Sequence, residues 1–415
     1  MKRITFVLLL LCQFGFAQNQ SLSLDSCLHL ARINYPLMKQ DELLQAMEKN
    51  SLRVDNKNWL PKLSFNSRAS YQSEVITFQG FSLPHESMVS SLSVEQSLFD
   101  GGQTHQTKAV DRFNNESKRL GNEVDLYTLT DRIAQLYCRI LLGRESVNNL
   151  RIVQKDLQSK HDQLAESVKN GLALQSNLDE MEAQQLTVEQ NIQEQADNLA
   201  ALYQSMNLFT KAGINDSTVL SLLPPAGAEK TGPISRPETK LFDAQKSLAN
   251  AQHKLNNAMA MPRLSVSADV NYGRPGPNFF NTDFRFYNQA NVSLRWNIAT
   301  LYNIHNESVS HDLRLKMIDV QQETFNLNTQ NALLAQESQI RSLKEIIKKD
   351  DDIIAKRHRI TETASSQLVN GAITTSDYLT QLNNEMQSLL NKKIHEVKLL
   401  NAITQYGIIK GIDIH

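Results

Sequence analysis

The sequence predicts a mainly α-helical chain that also carries four β-strands long enough to cross a bilayer, laid out as two copies of one plan. Three observations lead there: an export signal at the start, segments in which apolar and polar residues alternate, and a register of about 200 residues that superposes one half on the other.

The chain opens Met1-Lys2-Arg3, runs almost without a polar atom from Ile4 to Leu11, and reaches Gly15-Phe16-Ala17 before the polar Gln18-Asn19-Gln20. A charged start, a short apolar core and small residues before the break define a secretory signal, with cleavage expected after Ala17. The stretch is too short to span a bilayer as a helix. Cys12 follows Leu9-Leu10-Leu11, which is unlike the small residues that lipoprotein processing prefers. Removing Lys2 and Arg3 with the signal leaves 41 Lys and Arg against 44 Asp and Glu, a charge near −3 that attracts no nucleic acid. Cys27 and Cys138 remain, in different predicted helices and outside any CxxC pair, and read as small buried apolar residues.

Mean hydropathy is −0.40, and Gln, Asn and Ser fill positions that an ordinary core helix gives to Val, Leu and Phe. Long helices wetted on more than one side fit this composition. After the signal no run of eighteen apolar residues occurs, which excludes a membrane helix but not a barrel, whose strands alternate.

Shifting the chain by 201 residues aligns Tyr35–Tyr71 with Arg236–Tyr272 without a gap, matching Pro36 to Pro237, Pro61 to Pro262, Leu63 to Leu264, Ser64 to Ser265 and Tyr71 to Tyr272. A shift of 200 aligns Ser93–Leu98 with Ser293–Ile298, Asn170-Gly171 with Asn370-Gly371, and Ser176 with Ser376. Each half therefore repeats helix, strand, loop, strand, very long helix, tight turn and returning helix. The expected segments are a signal at 1–17, a first repeat at 18–210, a linker at 211–235 and a second repeat at 236–415.

Strands are expected at 62–72, 89–99, 263–272 and 289–298. Leu63, Phe65, Ala69 and Tyr71 oppose Ser64, Asn66, Arg68 and Ser70; Leu264, Val266, Ala268, Val270 and Tyr272 oppose Ser265, Ser267, Asp269 and Asn271. Leu92, Val94 and Leu98 oppose Ser93, Glu95 and Ser97, and Val292, Leu294, Trp296 and Ile298 oppose Ser293, Arg295 and Asn297. Charged residues on the second face suit a wet pore. Ser73–Glu86 and Gly273–Asn288 read as surface loops, with Phe279, Phe280, Phe284, Phe286 and Tyr287 as an interfacial aromatic belt.

Helices are expected at 101–169, 173–209, 301–369 and 373–409. About 68 residues without proline make a rod of roughly 100 Å. Leu150, Val153, Leu157, Leu164 and Val168 mark its apolar stripe. The returning helices are too short to cover it, so the short helices at Asp25–Asn34, Pro36–Asn58 and Arg236–Ala260 are expected to stack end to end with them. Four strands cannot close a barrel with an aqueous interior, so copies must associate; geometry favours three over two without deciding.

No HExxH, GxSxG, GxxxxGK or Cys/His ligand spacing is present, and no cofactor is expected. His311-Asp312 and His395-Glu396 read as surface pairs, and Asp350-Asp351-Asp352 point in different directions on a helix, so neither suggests catalysis or a metal.

Leu24-Asp25-Ser26-Cys27-Leu28 with Ala31 and Asn34-Tyr35-Pro36, Trp59-Leu60-Pro61-Lys62-Leu63, Ser97-Leu98-Phe99-Asp100-Gly101-Gly102, and the Asn-Gly turn followed by Ser-Asn or Ser-Asp in each half resemble the TolC-like outer-membrane efflux proteins. The resemblance covers nearly the whole chain after the signal. It implies a homotrimer with a twelve-stranded barrel in outer-membrane lipid and a twelve-helix periplasmic tunnel. It further implies docking to a periplasmic adaptor (membrane fusion) protein and an inner-membrane pump of RND or ABC type. The function implied is a passive efflux duct for small molecules, or else the conduit of a type I protein secretion system. By position the adaptor-facing tips are Asn170, Gly171, Leu172, Ala173 and Leu174, with Asn370, Gly371, Ala372, Ile373 and Thr374. Acidic residues near the tips, Asp179, Glu180 and Asp377, are candidates for a periplasmic gate, with Glu182 close by; Asn177 stands where the second half has Asp377.

Overall fold

The computed structural model describes residues 22–78, 80–221, 233–278 and 280–411. The expected signal, Cys12, Phe279 and the linker's Pro224-Pro225, Gly227 and Gly232 lie outside them. The described elements are α1 (Leu24–Asn34), α2 (Met38–Asn56), β1 (Lys62–Tyr71), β2 (Thr77–Phe78), β3 (Phe81–Ser82), β4 (Glu86–Phe99), α3 (Gln103–Lys169), α4 (Gln175–Thr210), α5 (Pro237–Met259), β5 (Arg263–Arg274), β6 (Arg285–Arg295), α6 (Ile304–Val369) and α7 (Thr375–Lys410). Among the described residues no helix is long and apolar enough to cross a membrane. The chain forms two compact units. One holds the described residues up to Met38, Glu123–Pro237 and those from Phe325 onward, and the other holds Lys39–Asn122 and Glu238–Thr324. Each unit thus draws on both halves of the sequence.

In the second unit four strands form an antiparallel sheet in the order β1-β4-β5-β6. The period of two sorts the side chains as expected. Leu63 lies opposite Val94, Phe65 opposite Leu92, Val266 opposite Val292 and Leu264 opposite Leu294, while Ser64 meets Ser93 and Ser265 meets Ser293 on the other face. On the apolar face Ser67 and Ser90 satisfy each other's hydroxyls at 2.9 Å, so neither needs water. β1 and β6 are the sheet's outer strands, and among the described residues neither pairs on its far side.

The strand limits differ from those expected. β4 begins at Glu86 and β6 at Arg285, three and four residues early, because Glu86 and Ser87 pair with Tyr71 and Ser70 of β1, while β5 continues to Arg274 and its Gly273 pairs with Arg285. Gly273-Arg274 and Arg285–Asn288 are therefore strand, and the loop at 73–85 carries the small β2–β3 hairpin. At the other end Trp296 is drawn out of the ladder: its indole N–H donates to the Ala260 carbonyl at 3.0 Å, β6 stops at Arg295, and a 3-10 turn, Ile298–Asn303, leads into α6. The expected aromatic belt is partly assembled. Phe280 packs on Phe81, and Tyr272 packs on Phe284 and Phe286, but Tyr287 falls on the polar face, opposite Asn271.

α2 and α5 run antiparallel beside the starts of α3 and α6. Arg119 pairs with Asp41 at 2.7 Å and Lys108 bonds Asn56, while Lys246 pairs with Asp319 and Asn256 bonds Glu307.

The first unit has two cores. In one, α1 packs its buried face (Leu24, Cys27, Leu28, Ala31) on Ile133, Ala134, Tyr137 and Leu141 of α3 and on Leu199, Tyr203 and Met206 of α4. α1 therefore packs laterally, not end to end as expected, because its whole apolar stripe finds partners along both helices. Cys27 and Cys138 are free and buried here, and burial pushes both thiols up to about 12. Residues 211–221, expected as linker, belong to this core. Leu22 bridges to Leu220, Tyr137 donates to the Leu22 and Ser221 carbonyls, and Arg144 reaches the Asn215 and Thr218 carbonyls while donating to the Tyr203 hydroxyl at 2.6 Å. The guanidinium's planar fork satisfies a stretch of backbone that has no ladder of its own.

Candidate functional site

The second core of this unit joins the two helical hairpins near their tips. Val153, Leu157 and Leu164 of α3 and Met181 and Val188 of α4 meet Ala364 of α6 and Tyr378, Leu379 and Leu382 of α7. Of the expected stripe on α3, Val153, Leu157 and Leu164 form the buried seam and Leu150 packs against it, while Val168 stays outside this core.

Both tips are built the same way. The amide of Gly171 bonds the Val168 carbonyl and that of Leu172 the Ser167 carbonyl, at 2.9 and 2.8 Å; Gly371 bonds Leu368 and Ala372 bonds Gln367 at 3.0 and 2.8 Å. These paired bonds need a left-handed residue, and Gly171 and Gly371 supply φ of +73° and +67°. Space around both glycines is open, so the demand on them is conformational and not steric. The ten expected tip residues divide. Ala173 and Ile373 turn onto the core, while Leu172 and Leu174, 82% and 70% exposed, stand in solvent beside Asn170, Asn370, Ala372 and Thr374. Between the tips lies an open cleft of about 1360 Å³ lined by Leu164, Leu172, Leu174, Leu368, Ile373 and Asp377.

Of the acidic residues expected at a gate, Asp377 and Asp179 have local partners. Asp377 forms a capping box: it accepts from the Thr374 hydroxyl and amide at 2.7 and 3.1 Å while its own amide donates to the Thr374 hydroxyl. The Thr374 hydroxyl holds the Asp377 carboxyl below the usual range. Helix geometry accounts for this residue. Asp179 accepts from Gln175 one turn earlier, and Glu180 is exposed on α4. The first tip has no such box, since α4 starts at Leu174 without a side-chain cap and Asn177 holds the place of Asp377.

What sequence reasoning missed is the polar tie inside the core. The Tyr378 hydroxyl donates to Asp156 at 2.7 Å and joins α7 of the second hairpin to α3 of the first. Tyr378 is 1% exposed, and burial raises its phenol well above its ordinary range. Nearby, His358 meets Glu385 at 2.8 Å and Glu362 at 3.5 Å, and the Glu385 hydrogen bond raises the imidazole pKa. The partners in the first tie are 222 residues apart, so no spacing could have found it. His395 is also no plain surface residue. It bonds Asp350 at 2.7 Å while Asp351 takes Lys392, so two of the three consecutive aspartates face α7 and each has its own basic partner there.

No protein-family model and no curated protein matches the chain. Solved structures do. The CmeC outer membrane channel of Campylobacter jejuni superposes with a TM-score of 0.70 at 14% identity, covering 95% of this chain and 86% of that one. The outer membrane protein VceC of Vibrio cholerae gives 0.68 at 13%, covering 93% and 94%. The open-state outer membrane channel MtrE of Neisseria gonorrhoeae gives 0.67 at 13%, covering 94% and 89%. This chain has the fold of these outer membrane channels.

Proposed function

We propose that the protein is an outer-membrane exit duct for small molecules. The observation that carries this reading is the sheet: four antiparallel strands, one face apolar and exposed, the other polar, and, among the described residues, both outer edges unpaired. Ten residues of β1 extend about 33 Å, enough for a tilted strand to cross the hydrocarbon. In water the exposed apolar face and open edges are an aggregation hazard. In lipid, with further copies closing the edges, both costs vanish. Three copies give twelve strands, wide enough for an aqueous path.

Along α6, exposed Leu313, Met317, Val320, Leu327 and Leu334 repeat at the spacing of a coiled-coil seam, which supports helix packing between copies below the barrel. The exposed leucines of the tips and the cleft beside them fit docking by a periplasmic adaptor that couples the duct to an inner-membrane pump. Export through the duct is passive, and opening parts the two hairpins where Tyr378 and Asp156 tie them.

The test is the native mass of the protein extracted in detergent from isolated outer membranes. Three chains per particle is the expected result. A monomer released without detergent overturns the reading.

A further inference from the structure

The polar face of the sheet is not electrically neutral. Strand register places Lys62, Arg68, Arg263, Arg285 and Arg295 on it against only Glu95 and Asp269, although the whole chain carries a formal charge of −1. The cations fall in two groups. Arg68 and Arg285 share one row across the sheet, separated by Val89 and Gly273. Lys62, Arg263 and Arg295 lie at the opposite end, where the strands join the helices; Lys62 faces Glu95 across the ladder, whereas Arg263 is directly opposite Arg295 on neighbouring strands, so the two arginines leave this end net positive.

Two like charges facing each other across a ladder weaken a sheet. Among the described residues none of the five cations belongs to an ion pair, and Asp269 accepts instead from the Asn291 amide at 2.9 Å. Folding of this sheet does not account for the arrangement. A soluble anion passing over it would.

We infer that the barrel lumen is selective for anionic solutes, with Arg68 and Arg285 forming one cationic belt and Lys62, Arg263 and Arg295 another. The inference rests on reading the sheet as the wall of a duct. Low-dielectric walls confine the field of the belts to the water inside, raising the local concentration of anions and lowering that of cations. The chemical class favoured is the small carboxylate, sulfonate or phosphate-bearing molecule, whichever pump delivers it.

The experiment is the reversal potential of the purified full-length protein in a planar bilayer under a KCl gradient. The expected chloride-to-potassium permeability ratio is on the order of three at low salt, falling toward one near 1 M, where the Debye length shrinks to about 3 Å. The double substitutions Arg68→Glu with Arg285→Glu, and Arg263→Glu with Arg295→Glu, are expected to move the ratio below one. The neutral Gln pairs should leave it between the two and serve where the Glu pairs fail to assemble. A conducting wild-type channel that prefers potassium, or a chloride preference that none of these substitutions moves, overturns the inference while leaving the duct intact. No conductance at all from trimeric protein counts against the duct itself.

Discussion

The Tyr378 ring is held in a core that would leave its hydroxyl dry without the bond to Asp156. Tyr378→Phe keeps the packing and removes the bond, at a cost of about 1 kcal/mol. The expected outcome is a higher single-channel conductance with a slightly lower melting point; unchanged conductance would show that the tie does not restrain the tips. His358 acts in a defined pH window. Its pKa is raised in the folded state by the bond to Glu385, so its contribution is complete below the unfolded value of about 6.5 and disappears as pH climbs through the raised folded value. Protection of α6 and α7 near His358 from hydrogen exchange should therefore fall as pH rises above neutrality, and His358→Gln should flatten that fall. The side chain is mostly exposed, so the effect is small and local.

Helix ends separate what was legible from what was not. The Asn-Gly pairs predicted both turns, because a left-handed residue is a local demand written in one amino acid. The unequal caps were legible too, as Asn177 against Asp377, but the capping box was not, because its reciprocal bonds with Thr374 appear only in the folded turn. Hydrogen exchange should accordingly be faster over Gln175–Leu178 than over Thr375–Tyr378. Installing the missing box with Leu174→Thr and Asn177→Asp should slow the first tip and add about 1 kcal/mol. A Val at Gly171 or Gly371 forces a β-branched residue into positive φ at about 1–2 kcal/mol, and is expected to impair export while leaving the oligomer intact. Strand ends failed for a different reason. Glu86, Ser87 and Arg285 carry no apolar alternation, so only their ladder partners reveal them as strand: Tyr71 and Ser70 of β1 for the first two, Gly273 of β5 for the third.

For the whole molecule, alternation and the internal repeat were enough to predict the element order, whereas the lateral packing of α1, the folded-in segment 211–221 and the mixing of both halves in each unit depend on contacts that sequence does not encode locally. Two adjacent residues of β6 test the environment of the sheet. Val292 is 75% exposed on the apolar face and Asn291 lies on the polar one. Val292→Arg should cost about 2–4 kcal/mol in a bilayer and keep the protein out of the outer-membrane fraction, while Asn291→Arg should fractionate normally; equal behaviour would mean that no lipid covers the apolar face. The order β1-β4-β5-β6 also sets a timetable. β1 and β4 are joined by a short loop, but Glu86 and Arg274, bonded at 2.7 Å across the next ladder, are 188 residues apart. Closing so long a stretch of chain costs more entropy than closing a hairpin, and contacts of such separation form slowly. The full width of the exposed apolar face thus comes into being only after the intervening helices have brought the chain back, so a half-made molecule carries a narrow hairpin in place of a broad apolar sheet.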